Sequence, residues 1–536
     1  MKRTARGKRG VVSSPHPLAT RAGLSVLKKG GNAVDAAIAT ALTLGVVAPV
    51  WSGLGGGGFG LIHLSRSDKT VALDYREVAP KSSSPRMFKL NAAGEVENDS
   101  NAIGPLAIAV PGAASGIATM LERYGSMELR DVCRFACDQA ARKTPTSPTM
   151  RLIIRENRTS ALEKLSRFQP AGSVFLKTIR PLKVRSRFVI PKLADTLEMI
   201  AREGMQSFYH GPLAERIVTY LKSNGAILTQ EDFAEYSPKI RDSVSGSYRG
   251  VEVRGMPPPS SGGITVIEIL NIVEGFDFST MRHNSPQAVH LIAEAMKLAY
   301  ADRRSYIADP DFVNVPTSEL SSKEHADRLR SMIDRNTVGL SYDASSAFSH
   351  DGGNTAHLNV MDKDGNVVAL TESVECFFGS GILVPEVGLL MNDEMHDFDL
   401  EPEHPNSIEA KKRPMSSMAP TILFKDGQPF LAVGSAGGPR IISSVMQTIL
   451  NLVEFGMTLE QAVAAPRFHC QRDKITLEDG IGRSTLNALK RLGHRVKMKA
   501  RRDLFFGGVQ AAIFDSARKR YLGTADPRRD GTALAF

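Results

Sequence analysis

The chain has 536 residues, 42% of them hydrophobic and 23% charged, with a net charge of +10. That composition suits a globular protein with a large core, and four cysteines in so long a chain exclude a disulfide-stapled scaffold. The positive charge is local, since residues 142–192 carry 13 Lys and Arg against Glu156 and Glu163; this argues against a nucleic-acid-binding protein that is basic over its whole face.

The basic stretch at residues 1–10 is followed by no apolar run, so no signal peptide is expected. Residues 36–51 are the most apolar segment, but it is short, preceded by Asp35 and broken by Pro49, as in a buried helix rather than a membrane span. Together with the low cysteine content this predicts a cytoplasmic setting; a lost or misassigned start would instead fit a periplasmic or extracellular protein.

Residues 11–14 read as a first strand, and 17–29 and 32–46 have helical spacing across a Gly30-Gly31 break. Gly53-Leu54-Gly55-Gly56-Gly57-Gly58 satisfies GxGxxG. A helix precedes it and a strand (59–64) follows, the reverse of a dinucleotide-binding context, so a glycine run for close backbone packing is the better account. Residues 70–75 form a strand that ends at Arg76. Cys133 and Cys137, four apart on a helix, read as buried thiols because no second pair at ligand spacing accompanies them. The 12 histidines form no HExxH or HxH cluster. Residues 142–192 read as a solvated surface or an insertion. A strongly periodic helix covers 286–304, another covers 323–333, and residues 335–354 are small and polar, as in a linker.

At Thr355 the pattern changes. Ala356, Leu358 and Val360 alternate with His357 and Asn359, a period of two that predicts a half-buried strand. Asp362-Lys363-Asp364-Gly365 is turn chemistry and 366–371 a second β-rich run, so the two form a hairpin that returns Ser373 beside Thr355. A flexible segment ending at a strand-initial Thr suits a chain that cuts itself. Thr355 Oγ would attack the Asn354 carbonyl, and the freed α-amine, with a reference pKa of about 8, would become the base for its own hydroxyl. Further on, 389–392 is strand-like, 419–424 and 429–435 form another hairpin, and Gly437-Gly438 opens a helix over 441–455.

Eight motifs in order carry a resemblance to the γ-glutamyltranspeptidase family: Gly30-Gly31-Asn32-Ala33-Val34-Asp35-Ala36-Ala37, Gly55-Gly56-Gly57-Gly58-Phe59, Asp74-Tyr75-Arg76-Glu77-Val78-Ala79-Pro80, Pro257-Pro258-Pro259-Ser260-Ser261-Gly262-Gly263, Thr355-Ala356-His357, Asn392-Asp393-Glu394-Met395-His396-Asp397-Phe398, Arg413-Pro414-Met415-Ser416-Ser417-Met418 and Gly434-Ser435-Ala436-Gly437-Gly438. The likeness is weakest over 142–187. Pattern alone supports mixed α/β with several hairpins. The resemblance implies an α/β fold of the N-terminal-nucleophile hydrolase type, a four-layer αββα sandwich with largely antiparallel sheets. It is shared between a large fragment (1–354) and a small fragment (355–536) that form a heterodimer.

The resemblance also assigns roles. Thr355 is the nucleophile, Ser373 its hydroxyl neighbour, and the N–H groups of Gly437 and Gly438 hold the oxyanion. Arg76, Ser416 and Ser417 take a substrate α-carboxylate, and Glu375, Glu394 and Asp397 its ammonium. The implied donors are glutathione and other γ-glutamyl compounds, and the acceptors are water, amino acids or dipeptides. No cofactor, metal, nucleic acid or membrane span is implied. Ser373 stands where many members have Thr, and Glu375 where some have Asn. The 399–412 loop is short, so an open site that admits bulky γ-glutamyl substrates is expected. The alternatives are a cephalosporin-acylase-like amidase of the same architecture and an uncut, non-catalytic member.

Overall fold

The computed structural model describes residues 3–179, 186–339 and 354–536. Among these, fourteen strands build two seven-stranded sheets. In chain order they are β1 (Thr4–Gly7), β2 (Gly10–Ser14), β3 (Gly57–Leu64), β4 (Lys69–Tyr75), β5 (Lys239–Asp242), β6 (Val244–Tyr248), β7 (Val251–Gly255), β8 (Thr355–Asp362), β9 (Val367–Ser373), β10 (Thr421–Lys425), β11 (Gln428–Gly434), β12 (Gln510–Asp515), β13 (Arg520–Ala525) and β14 (Thr532–Ala535). One sheet runs β1-β13-β12-β11-β10-β7-β6 and the other β14-β2-β8-β9-β3-β4-β5, antiparallel throughout.

The sheets face each other through β8 on β12 and β9 on β11. Helices α1 (Pro17–Lys28) and α2 (Ala33–Val47) cover the outer face of the second sheet. On the far side α3 (Gly262–Glu274) and α5 (Arg440–Val453) cover the first, with α4 (Pro286–Tyr306) packed on α3. This is the four-layer αββα arrangement. In α2, Asn32 Oδ1 caps Val34 N and Asp35 N while Asp35 Oδ2 accepts from Asn32 N at 2.8 Å, a reciprocal capping box. Its apolar residues run all round because neighbours bury it on every side. No helix among the described residues is long and apolar enough to cross a membrane.

The β8–β9 hairpin pairs Thr355 with Ser373 and turns through Asp362–Gly365, where Gly365 adopts φ +87°. Its side chains divide between two cores. Leu358, Val360, Val368 and Leu370 point under α1 and α2, whereas Met361, Val367 and Ala369 point between the sheets. The expected half-buried strand is therefore fully buried, because the opposing sheet covers its polar face. His357 and Asn359 remain polar there by pairing with each other at 3.0 Å. His357 Nδ1 also meets Thr371 Oγ1 at 2.8 Å, and Asn359 donates to Gln510 O at 2.9 Å. A Cβ at Gly434 would strike the His357 ring, so that glycine lets the sheets close.

The glycine run is a close-packing device too: a Cβ at Gly55, Gly56 or Gly58 would collide with the carbonyl oxygens of Leu390, Ser373 or Thr371. The strand-like 389–392 stretch shortens to Leu389–Leu390 and gives way to a single turn, Glu394–Asp397. Among its described residues, the poorly matching region contains three short helices, Pro148–Arg155, Ala161–Arg167 and Gln169–Ile179. Of the linker, residues 340–353 lie outside the described residues.

Candidate active site

Thr355 opens β8 from a buried position, and the peptide bond before it is held on several sides. Asn354 N donates to Glu375 O at 2.7 Å, and Asn354 O accepts from Ser373 Oγ at 2.5 Å. Ser373 Oγ in turn accepts from Glu375 N at 2.8 Å. Arg529 bridges the junction, with Nη1 donating to Thr355 O at 3.1 Å and Nη2 to Asn354 Oδ1 at 3.0 Å. Its guanidinium stacks over Trp51, 4.9 Å from the ring centroid. Burial lowers the Arg529 pKa to about 10, which leaves it charged at neutral pH.

One cavity is lined by Thr355, Glu375, Asp397, Ser416, Ser417 and Gly438 together with residues of α4. Gly437 (φ +129°) and Gly438 (φ +56°) form the turn into α5, a backbone path suited to glycine. Among the described residues neither of their N–H groups donates a hydrogen bond. Gly437 and Asn354 line a second cavity, so the glycine pair, like the Asn354–Thr355 junction, borders both spaces.

Arg76 and Glu394 sit one layer behind the cavity wall. Arg76, wholly buried at the end of β4, reaches Glu394 Oε1 through Nη1 and Asp397 Oδ2 through Nη2, both at 2.5 Å, with Glu77 at 3.7 Å. Its Nε and Nη2 also donate to the carbonyls of Pro414 and Met415 at 3.2 Å. One guanidinium thus serves three carboxylates, with a fourth, Glu375, close by. Ligand oxygens of Glu375, Glu394 and Asp397 lie within 4.8 Å of one another. Burial pushes Glu375 well up from the usual carboxylate range, and neighbouring Asp397 adds to it. Burial also raises Glu394, against the opposing pull of Arg76, and brings Glu77 to about 7. Such a cluster favours an arriving cation. A metal could use the same oxygens, but Arg76 already occupies the centre of the group.

A model of the γ-glutamyltranspeptidase family matches residues 19–536. The chain is 38% identical over 537 residues to the glutathione hydrolase proenzyme of Escherichia coli, covering 98% of this chain and 91% of that one. It is 36% identical over 545 residues to the acylase ACY 1 proenzyme of Pseudomonas sp. strain SE83, covering 100% and 95%. The crystal structure of cephalosporin acylase from Bacillus halodurans superposes with a TM-score of 0.88 at 30% identity, covering 100% and 97%. The chain belongs to the γ-glutamyltranspeptidase family. It is an enzyme of that family and has its N-terminal-nucleophile hydrolase fold.

Several residues of this γ-glutamyltranspeptidase-family site are absent from the motif reading. Lys164, inside the basic block that reads as a solvated surface or an insertion, is buried and bonds Asp393 Oδ2 at 2.8 Å and Gly379 O at 2.6 Å. Its spacing from Ala161 and Leu165 on one helix face was the available signal. His290, Glu294 and Lys297 recur along α4 at helical spacing and, with His494, hold the chain at the start of the linker. His290 Nε2 meets Asp334 O at 2.8 Å and Gly339 N donates to Glu294 Oε2 at 3.0 Å. The 399–412 loop walls the cavity through Asp399, His404 and Asn406, with Asn406 Nδ2 donating to Asp397 O at 2.7 Å. The Cys133 and Cys137 thiols are raised by burial to about 12 and about 11, as for unreactive thiols.

Proposed function

We propose that the chain cuts itself between Asn354 and Thr355 and then works as a γ-glutamyltranspeptidase and hydrolase. In the first reaction Thr355 Oγ bonds to the Asn354 carbonyl carbon, the C–N bond breaks, and the nitrogen takes the proton. Water hydrolyses the resulting ester, leaving a carboxylate on Asn354 and a free amine on Thr355. Ser373 Oγ, already donating to that carbonyl, stabilises the oxyanion of this step. In the second reaction the Thr355 amine serves as base for its hydroxyl, which attacks the γ-carbonyl of glutathione or a related amide. The N–H groups of Gly437 and Gly438 hold the oxyanion, the amine leaves, and water or the amine of an amino acid or peptide releases the acyl group. The two fragments remain together as a heterodimer.

The observation that carries this reading is the cavity's polarity: Glu375 and Asp397 meet Ser416 and Ser417 around Thr355 and Gly438. That arrangement suits an amino-acid head with its ammonium on one side and its carboxylate on the other. A purely anionic acyl chain would face buried carboxylates with no cation of its own, which disfavours the acylase reading despite the acylase relatives. The test assays γ-glutamyl-p-nitroanilide beside glutaryl-p-nitroanilide, with a denaturing gel. Two bands beginning at residues 1 and 355, a preference for the γ-glutamyl substrate, and one uncut, inactive Thr355→Ala band are expected. A preference for the glutaryl amide would reverse the assignment.

A further inference from the structure

Two carboxylates and an imidazole meet outside the donor cavity, where α3, α4 and the helix Lys323–Ser331 come together. Asp302 Oδ2 stands 2.6 Å from His325 Nε2, and Glu268 Oε1 stands 3.6 Å from the same nitrogen. One ligand atom of each residue lies within 4.8 Å of the other two. Glu268 is wholly buried, yet neither of its carboxylate oxygens accepts a hydrogen bond among the described residues. No Lys or Arg among the described residues pairs with Glu268 or Asp302.

We propose that Glu268, Asp302 and His325 bind a first-row divalent cation, Zn²⁺ above all, which fastens the helix Lys323–Ser331 to α3 and α4. The proposal stands independently of the γ-glutamyl reading.

Partner accounting leads to this assignment. Buried polar groups find partners, and a carboxylate with two bare oxygens inside the protein is an exception that calls for one. The neighbours offer no proton to it: Asp302 only accepts, and the Nε2 proton of a neutral His325 goes to Asp302. One divalent cation balances both negative charges and leaves the imidazole neutral, the form in which it ligates. The donor set also selects the cation. Ca²⁺ and Mg²⁺ take oxygen ligands, whereas an imidazole beside carboxylates suits Zn²⁺ and its first-row neighbours. Tetrahedral bonds of about 2.1 Å put ligand atoms about 3.4 Å apart. The separations of 2.6 and 3.6 Å bracket that spacing. His290, Glu294 and His494 also converge, but there the Lys297 ammonium, 2.6 Å from Glu294, already supplies the positive charge.

A cation on Nε2 places the ring proton on Nδ1, which faces Arg328 Nη2 at 3.0 Å. Arg328 is exposed and also holds Glu319 at 2.9 Å, so its side chain can turn aside. Asp302 and His325 are partly exposed, which gives a cation a path from solvent. The helix has use for such a tie. Ala326 is its one fully buried residue, so apolar contact contributes little to its docking.

The test strips metal from the purified enzyme with EDTA and then titrates in Co²⁺ or Zn²⁺. The unsubstituted enzyme should take up a tight equivalent of Zn²⁺ per chain, with Kd at or below about 1 μM. Co²⁺ at the same site should give visible absorption bands that Zn²⁺ displaces. Zn²⁺ at about 100 times Kd should raise Tm by at least about 2 °C. Glu268→Gln, Asp302→Asn and His325→Gln should each weaken that uptake at least about 100-fold and remove the Tm response. No tight equivalent in the unsubstituted enzyme would overturn the proposal and assign the cluster to shared protons alone. Uptake and a Tm response that survive in Glu268→Gln and His325→Gln would place the cation elsewhere and overturn it equally. If Glu268→Gln does not fold, His325→Gln and Asp302→Asn, at the partly exposed edge, decide by the same two readouts.

Discussion

Ser373 Oγ bonds in two directions at once, receiving from Glu375 N and giving to Asn354 O. The hydroxyl proton is thereby committed to the oxygen that becomes negative when Thr355 attacks. Ser373→Ala should slow self-cleavage by roughly 10²- to 10³-fold, the usual cost of one lost oxyanion donor, measured as the decay of the full-length band. Ser373→Thr should cut at nearly the ordinary rate. The carboxylates make a second prediction. Glu375 and Glu394 are raised, so as pH falls they lose charge before ordinary carboxylates do, and an ammonium loses its partners. For γ-glutamyl-p-nitroanilide, kcat/KM should fall by about tenfold per pH unit below the controlling pKa, if one required carboxylate governs it. Glutaryl-p-nitroanilide, which has no ammonium, should lack that acid limb. A shared limb would assign the titration to another group. The residues readable in advance were those in short motifs: Thr355, Ser373, the serine pair and the glycine pair. Arg529 and Trp51 were not readable, because their partners lie across the chain and no local spacing announces them.

Elements were legible wherever periodicity was strong. The helical spacing over 32–46, the turn chemistry at 362–365 and the apolar periodicity over 286–304 each predicted an element to within a few residues. Burial was not legible for β8, since an alternating strand looks the same beside water as beside a polar inter-sheet layer. The glycine run shows how elements place the site. Gly56 lies against the carbonyl of Ser373, and any Cβ there would push β9 away from Asn354. Gly56→Ala should leave the chain largely uncut or poorly folded. Gly482→Ala, with only Ser484 Oγ near at 3.4 Å, should behave as the unsubstituted chain does. A fully cut Gly56→Ala would show that the contact can relax. Lys164 acts at the same scale, fastening helix Ala161–Arg167 to the segment between Glu375 and Asp393. Lys164→Met strands a buried Asp393 and should lower stability by about 3–5 kcal/mol in denaturant titration. Adding Asp393→Asn should return much of that loss.

The fold distributes the two proposed fragments through both sheets instead of dividing them into lobes. In the first sheet β1, β6 and β7 come from before residue 354 and flank β10–β13 from after it. In the second, β2 lies between β14 and β8, and β9 pairs with β3. Backbone ladders therefore cross between fragments at β1–β13, β7–β10, β2–β14, β2–β8 and β3–β9. Cutting one peptide bond at the head of β8 breaks none of them. The cut enzyme should elute from a sizing column at the mass of the whole chain and give two bands only after denaturation. It should also unfold in one transition, because neither fragment keeps a complete sheet. Expressed separately, each fragment would carry unpaired edges and exposed apolar faces and should aggregate. Recovery of a soluble, folded 355–536 fragment on its own would contradict this interleaving, since β8, β9, β10, β13 and β14 would each be missing a neighbouring strand.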